Sequence, residues 1–81
     1  MGRSPRERPR KLPAKLLQIR QQLGMSQTQM SKALDLKVHY AAISQFEAGT
    51  REPSLIVLLR YARLARVPME TLVDDKLKLP K

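Results

Sequence analysis

The chain has no cysteine and no tryptophan, and only one histidine, one phenylalanine and three glycines among its 81 residues. Without cysteine, neither a disulfide nor a thiolate metal site can brace so short a chain. His39 has no second imidazole for a partner, so neither a structural zinc nor any other cofactor is expected. Acidic side chains are scarce too, with seven Asp and Glu against sixteen Lys and Arg. No apolar run reaches the ~18 residues of a membrane span, and no signal-peptide core is visible. The expectation is a soluble, cytoplasmic protein that crosses no membrane. Nucleophile–His–acid sets, glycine-rich phosphate loops and paired carboxylates are all missing, so an enzyme is not expected.

What the chain has in excess is positive charge. The net charge is +9 and the pI is near 10.7, which calls for a polyanionic partner, most commonly nucleic acid. Residues 1–11 hold Arg3, Arg6, Arg8, Arg10 and Lys11 against Glu7, a net +4 interrupted by Pro5 and Pro9. Nothing there is apolar enough to fold alone, so this segment reads as a flexible basic arm. Residues 12–75 form one compact domain and 76–81 a short tail. A chain of this length buries only about 60% of its unfolded surface, so the core is small.

Punctuation in the domain is helical throughout. Pro13 suits the start of a first helix, Leu12, Leu16, Ile19 and Leu23 recur at helical spacing, and Gly24 is placed to end it. Ser26 with Gln29 makes a capping box ahead of a second helix that buries Met30, Ala33 and Leu34, with Met25 as staple. A break at 35–38 leads to a third helix from about His39 to Ala48, with Ile43 and Phe46 inward and Gly49 as its stop. Ser54 caps a fourth, from about Leu55 to Arg66, expected to bury Leu55, Leu58, Leu59 and Ala62 while Arg60, Arg63 and Arg66 face out. A short fifth helix, Met69–Val73, should bury Leu72 and Val73. No stretch alternates with period two, so the fold expected is all-α, a bundle of five short helices.

Two short helices joined by a brief break describe a helix-turn-helix. Five anchors occur in order: Arg20-Gln-Gln-Leu-Gly-Met-Ser-Gln27, Ile43-Ser-Gln-Phe-Glu47-Ala-Gly49, Arg51-Glu-Pro53, Ser54-Leu55 and Leu58-Leu59. Together they resemble the Cro/repressor-type (XRE) helix-turn-helix family, whose domain is lambda-repressor-like, over residues 12–75. The resemblance implies that Gln27 bonds a DNA phosphate, with Thr28 and Ser26 near the same phosphate and Ser26 also serving as cap. It makes the third helix the recognition helix in the major groove. Its outward positions are Tyr40, Ala41, Ser44 and Gln45, with His39 at the mouth. Gln45 suits an adenine edge and Ala41 a thymine methyl. Arg51 falls where the family touches phosphate, and Arg20 and Glu47 where it has a partly buried ion pair.

The resemblance thus implies a double-stranded-DNA-binding transcriptional regulator, a repressor acting as a homodimer. Ile56, Val57, the fifth helix, Leu77 and Leu79 are the expected dimer surface. A rival reading on the same fold is an antitoxin or coactivator-like module that binds a small protein through its apolar tail. One departure affects geometry. Leu34 to Ile43 is longer than the family's usual spacing by about two residues, and Asp35 stands where a turn glycine is common. Either the second helix or the turn must absorb the extra length, which changes the tilt of the third.

Overall fold

The computed structural model describes residues 9–35, 37 and 39–80. Arg3, Arg6 and Arg8 of the arm lie outside the described residues, as do Leu36 and Val38. The helices are α1 Leu12–Gln22, α2 Gln27–Leu34, α3 Tyr40–Ala48, α4 Leu55–Ala65 and α5 Met69–Val73. No strand occurs among the described residues, and the architecture is an all-α bundle. α2 ends at Leu34 with Asp35 left-handed at φ 50°. The extra length therefore enters the turn rather than α2. Lys37, also left-handed at φ 56°, lies in that turn.

Leu16, Ile19, Met30, Leu34, Ile43, Tyr61 and Leu72 are fully buried and draw all five helices onto one core. Burying each such side chain contributes about 1.5–3 kcal/mol. On α4 the buried stripe is Val57, Leu58, Tyr61 and Ala62. Leu55, expected inside, is 68% exposed, and Val57, expected on a dimer surface, is inside at 7%. Leu55–Leu59 is apolar all round, so hydrophobicity there does not choose a face. The choice is made farther along, where Arg63 reaches water and Tyr61, on the other side of the helix, is fully buried in the core. Leu59 and Ala33 are half-buried. Leu23 and Val73, expected inside, are each 38% exposed, because Leu23 follows the end of α1 and Val73 is the last residue of α5.

The C-terminal segment is stitched across α1. The Lys15 ammonium is buried and donates to the carbonyls of Thr71 (2.7 Å) and Asp74 (2.9 Å). It thereby closes the C-terminal end of α5, where orphan carbonyls favour a cation. The Gln22 amide donates to the Pro80 carbonyl at 3.2 Å, and Leu79, expected on a dimer surface, is buried in the chain's own core.

α1 lacks a side-chain cap at Lys11. Asp75 supplies one from the far end of the chain, its carboxylate accepting the N–H groups of Arg10 (2.9 Å) and Lys11 (3.0 Å). Those two N–H groups hold the Asp75 carboxyl below its ordinary value of 3.8. A depressed folded-state value means stability gained above the unfolded value and lost as pH falls through the folded one. Wild-type stability should thus decline as pH drops from the ordinary aspartate range, and Asp75→Asn should remove part of that decline. Thermal melts between pH 6 and pH 2 compare the two, and parallel curves would exclude the clamp.

α1, α3 and α4 all end in a left-handed residue flanked by the same paired bonds. Met25 N–H reaches Arg20 O (3.1 Å) and Gly24 N–H reaches Gln21 O (3.0 Å). Thr50 reaches Gln45 O (3.1 Å) and Gly49 reaches Phe46 O (3.3 Å), while Val67 reaches Ala62 O (3.0 Å) and Arg66 reaches Arg63 O (3.2 Å). Two of the left-handed positions are glycine, as this motif prefers, but the third is Arg66 at φ 58°. The left-handed conformation costs a residue with a Cβ about 1–2 kcal/mol. Arg66→Gly should stabilise the fold by about 1 kcal/mol after glycine's greater unfolded-state freedom is offset. That corresponds to a melting-temperature rise of roughly 4–8 °C.

Candidate nucleic-acid interface

The outward face of α3 is the first component. Tyr40, Ala41, Ser44 and Gln45 are all exposed, and Ala48 continues the row. Positions i, i+1, i+4, i+5 and i+8 share one side of a helix, so their side chains form a single stripe. The opposite side carries Ala42, Ile43 and Phe46 into the core and fixes the helix's rotation. His39 caps α3, its Nδ1 accepting the Ala41 N–H at 3.1 Å. In the neutral ring this puts the proton on Nε2, leaving that nitrogen as a donor. The His39 ring also lies against Tyr40, with centroids 4.5 Å apart.

A groove between the starts of α3 and α4 is the second component. Lys37, His39, Arg51 and Ser54 line it together with the acidic Glu52, over Phe46 and Val57. Arg51 lies over the Phe46 ring, 5.8 Å from its centroid, which restrains the guanidinium without pairing it. Ser54 Oγ accepts the Val57 N–H at 3.3 Å and so caps α4. Lys37 escaped the reading of the sequence. A cation just ahead of α3, in a lengthened turn, was the signal available for it.

The third component is the start of α2 and the ion pair beneath it. Ser26 and Gln29 form the expected capping box, at 3.0 Å for Gln29 N–H to Ser26 Oγ and 2.8 Å for Ser26 N–H to Gln29 Oε1. Thr28 is exposed beside them. Arg20 and Glu47 meet in a two-pronged pair, Nε to Oε2 at 2.6 Å and Nη2 to Oε1 at 3.0 Å. Their side chains are only 18% and 7% exposed. Arg20 Nη1 also donates to Met25 O at 3.0 Å, tying α1 to the approach to α2. The hydrogen bond to Glu47 raises the Arg20 pKa, with burial opposing it, so the guanidinium is permanently charged. Tyr61 lies nearby with its hydroxyl buried and without a hydrogen-bond partner among the described residues. Burial raises its pKa, with Glu47 adding to the effect, and it stays a neutral phenol.

Pro9, the first described residue, lines a small cleft with Pro13, Phe46, Arg51 and Glu52. Asp75 holds the next two residues, Arg10 and Lys11, as described above. No sequence pattern links Asp75 to the arm, because the two lie 65 positions apart.

A family model described as a helix-turn-helix matches residues 16–72. The chain belongs to the Cro/repressor-type (XRE) helix-turn-helix family. It is a DNA-binding regulator of that type, and the match covers α1 to α5 up to Leu72. Comparison with curated proteins finds none that matches. No helix among the described residues is long and apolar enough to cross a membrane, and none of their His, Asp or Glu cluster into a metal-binding group.

Proposed function

We propose that this regulator is a sequence-specific repressor that reads the major groove of double-stranded DNA with α3 and acts in the cytoplasm as a homodimer on a two-fold symmetric operator. The observation that carries the reading is the exposed stripe of Tyr40, Ala41, Ser44 and Gln45 on a helix whose other side is locked into the core. Base readout falls to that stripe and to His39 Nε2. Gln27 and Thr28 at the start of α2, with the Ser26 hydroxyl beside them, and Arg51 in the groove take phosphates. Lys37 joins Arg51 there. The arm, with Arg3, Arg6, Arg8, Arg10 and Lys11, adds further phosphate contacts. A single module of this size makes few base contacts, and pairing two half-sites one helical turn apart multiplies them. With Val57 and Leu79 inside the chain's own core, Ile56, Leu77 and Val73 of α5 are the exposed members of that expected surface left to support a dimer, and exposed Leu55 stands beside Ile56. Burial of Leu79 also removes half of the apolar tail on which a protein-bridging role would depend.

Selection of bound sequences from random duplex DNA tests the proposal. A palindrome with half-sites centred about 10–10.5 base pairs apart is expected. Recovery of unenriched sequence at every salt concentration would sink it. Gln45→Ala should relax one base position per half-site, at about 1–3 kcal/mol against the preferred base, while Arg51→Ala weakens all sequences alike. An unchanged selected motif for the Gln45 variant would mean that α3 is tilted away from the groove floor.

A further inference from the structure

We infer that Glu47 is a positioning residue for DNA binding, orienting the Gln27 amide so that one of its N–H groups is presented to a phosphate. The inference rests on the proposal that Gln27 touches phosphate, and it adds what makes that contact directional. Gln27 Nε2 donates to Glu47 Oε1 at 3.3 Å. An amide can sit either way round in most settings, since its oxygen and nitrogen have the same shape. Beside a carboxylate it cannot, because the amide oxygen would face a negative charge, so the nitrogen is held inward. That nitrogen carries two hydrogens about 120° apart. One is spent on Glu47, and the other projects away from the pair with a fixed direction.

Charge makes the arrangement compatible with DNA. A bare carboxylate close to a phosphate would repel it, but Arg20 neutralises Glu47 through two hydrogen bonds. The same guanidinium holds Met25 O, so the chain just ahead of Gln27 is tied to the same point. Glu47 itself stands on the last turn of α3. The phosphate anchor on α2 is thereby registered against the helix that reads bases. The Arg20–Glu47 pair is accordingly more than a brace for the core.

The test uses a labelled 30-base-pair duplex of random sequence, because a phosphate contact needs no operator. Binding of the full chain is measured for wild type, Gln27→Ala, Glu47→Gln and the double variant, at a temperature where melts show all four folded. Losing one charge-assisted hydrogen bond corresponds to about a tenfold weaker contact. Gln27→Ala and Glu47→Gln should each weaken binding by about that factor, and the double variant no further. Charge alone predicts the opposite sign for Glu47→Gln, since removing a negative charge from the protein tightens its hold on DNA. Tighter or unchanged binding by Glu47→Gln would overturn the inference, as would full additivity in the double variant. A Gln27→Ala variant that binds like wild type removes the phosphate contact itself and the inference with it.

If Glu47→Gln does not fold, the wild-type protein still decides. In free protein the Gln27 side-chain amide protons should differ in chemical shift and exchange more slowly than those of exposed Gln21. Equal behaviour of the two amides would mean that Glu47 holds nothing.

Discussion

Glu47→Ala should lower the stability of the free protein by about 3 kcal/mol, with no DNA present. Breaking a buried ion pair by removing one partner costs about 3–5 kcal/mol, because the remaining charge keeps its desolvation penalty and loses its compensation. Here Arg20 keeps 18% of its side chain in water, which places the cost at the lower end. One kcal/mol shifts the melting temperature of so small a domain by roughly 4–8 °C, so a fall of roughly 12 °C or more is expected. The loss is large against a total stability of ~5–15 kcal/mol. Replacing both residues together, Arg20→Met with Glu47→Leu, should recover much of it, since neither charge is then left alone. Thermal unfolding of the three variants distinguishes this from a pair that merely decorates the surface. A Glu47→Ala protein that melts within a degree or two of wild type would mean the pair contributes nothing to the fold. The double apolar variant should still bind DNA poorly, because it restores the core without restoring the Gln27 orientation.

The elements legible in the sequence are those with local chemistry. Ser26 with Gln29, Ser54, Gly24 and Gly49 mark helix ends because their caps are built from neighbours a few positions away. α5 falls at Met69–Val73 as the spacing predicts, and α2 ends where Leu34 closes its apolar row. The rotation of α4 was not legible. In Leu55-Ile56-Val57-Leu58-Leu59 every face is apolar, and only packing against α1, α2 and α5 selects Val57 and Leu58 over Leu55. Lys15 and Asp75 were hidden for a different reason. Each acts on backbone groups more than 50 positions away, and a backbone carbonyl or N–H has no residue type to betray it. Arg66 closes α4 about where the spacing puts its end, but arginine carries no hint of the left-handed conformation it adopts there. At the interface, the exposed stripe on α3 followed from the period of its buried side. The role of His39 as the cap of α3 required seeing Nδ1 against the Ala41 N–H.

Deleting residues 1–8 should weaken binding to any duplex, with little effect on which sequence is preferred. The truncation removes Arg3, Arg6 and Arg8 and stops short of Pro9 and Arg10, so that Asp75 retains both N–H groups it accepts. Cutting farther, through Lys11, would uncap α1 and confuse a loss of binding with a loss of fold. Each cation that meets a phosphate releases condensed counterions and steepens the log–log salt slope by about 0.9, so three cations account for up to roughly three units. At physiological salt that slope corresponds to about a hundredfold in affinity, close to 3 kcal/mol. The loss should be equal for a selected operator and for random duplex, because phosphates carry no sequence. It should also shrink as salt rises and vanish near 1 M, where little counterion entropy is left to gain. Titrations of full-length and truncated protein across 50 mM to 1 M salt test all three statements at once. Equal slopes would reduce the arm to a solvated segment, and a loss confined to the selected operator would instead place it in a groove, reading bases.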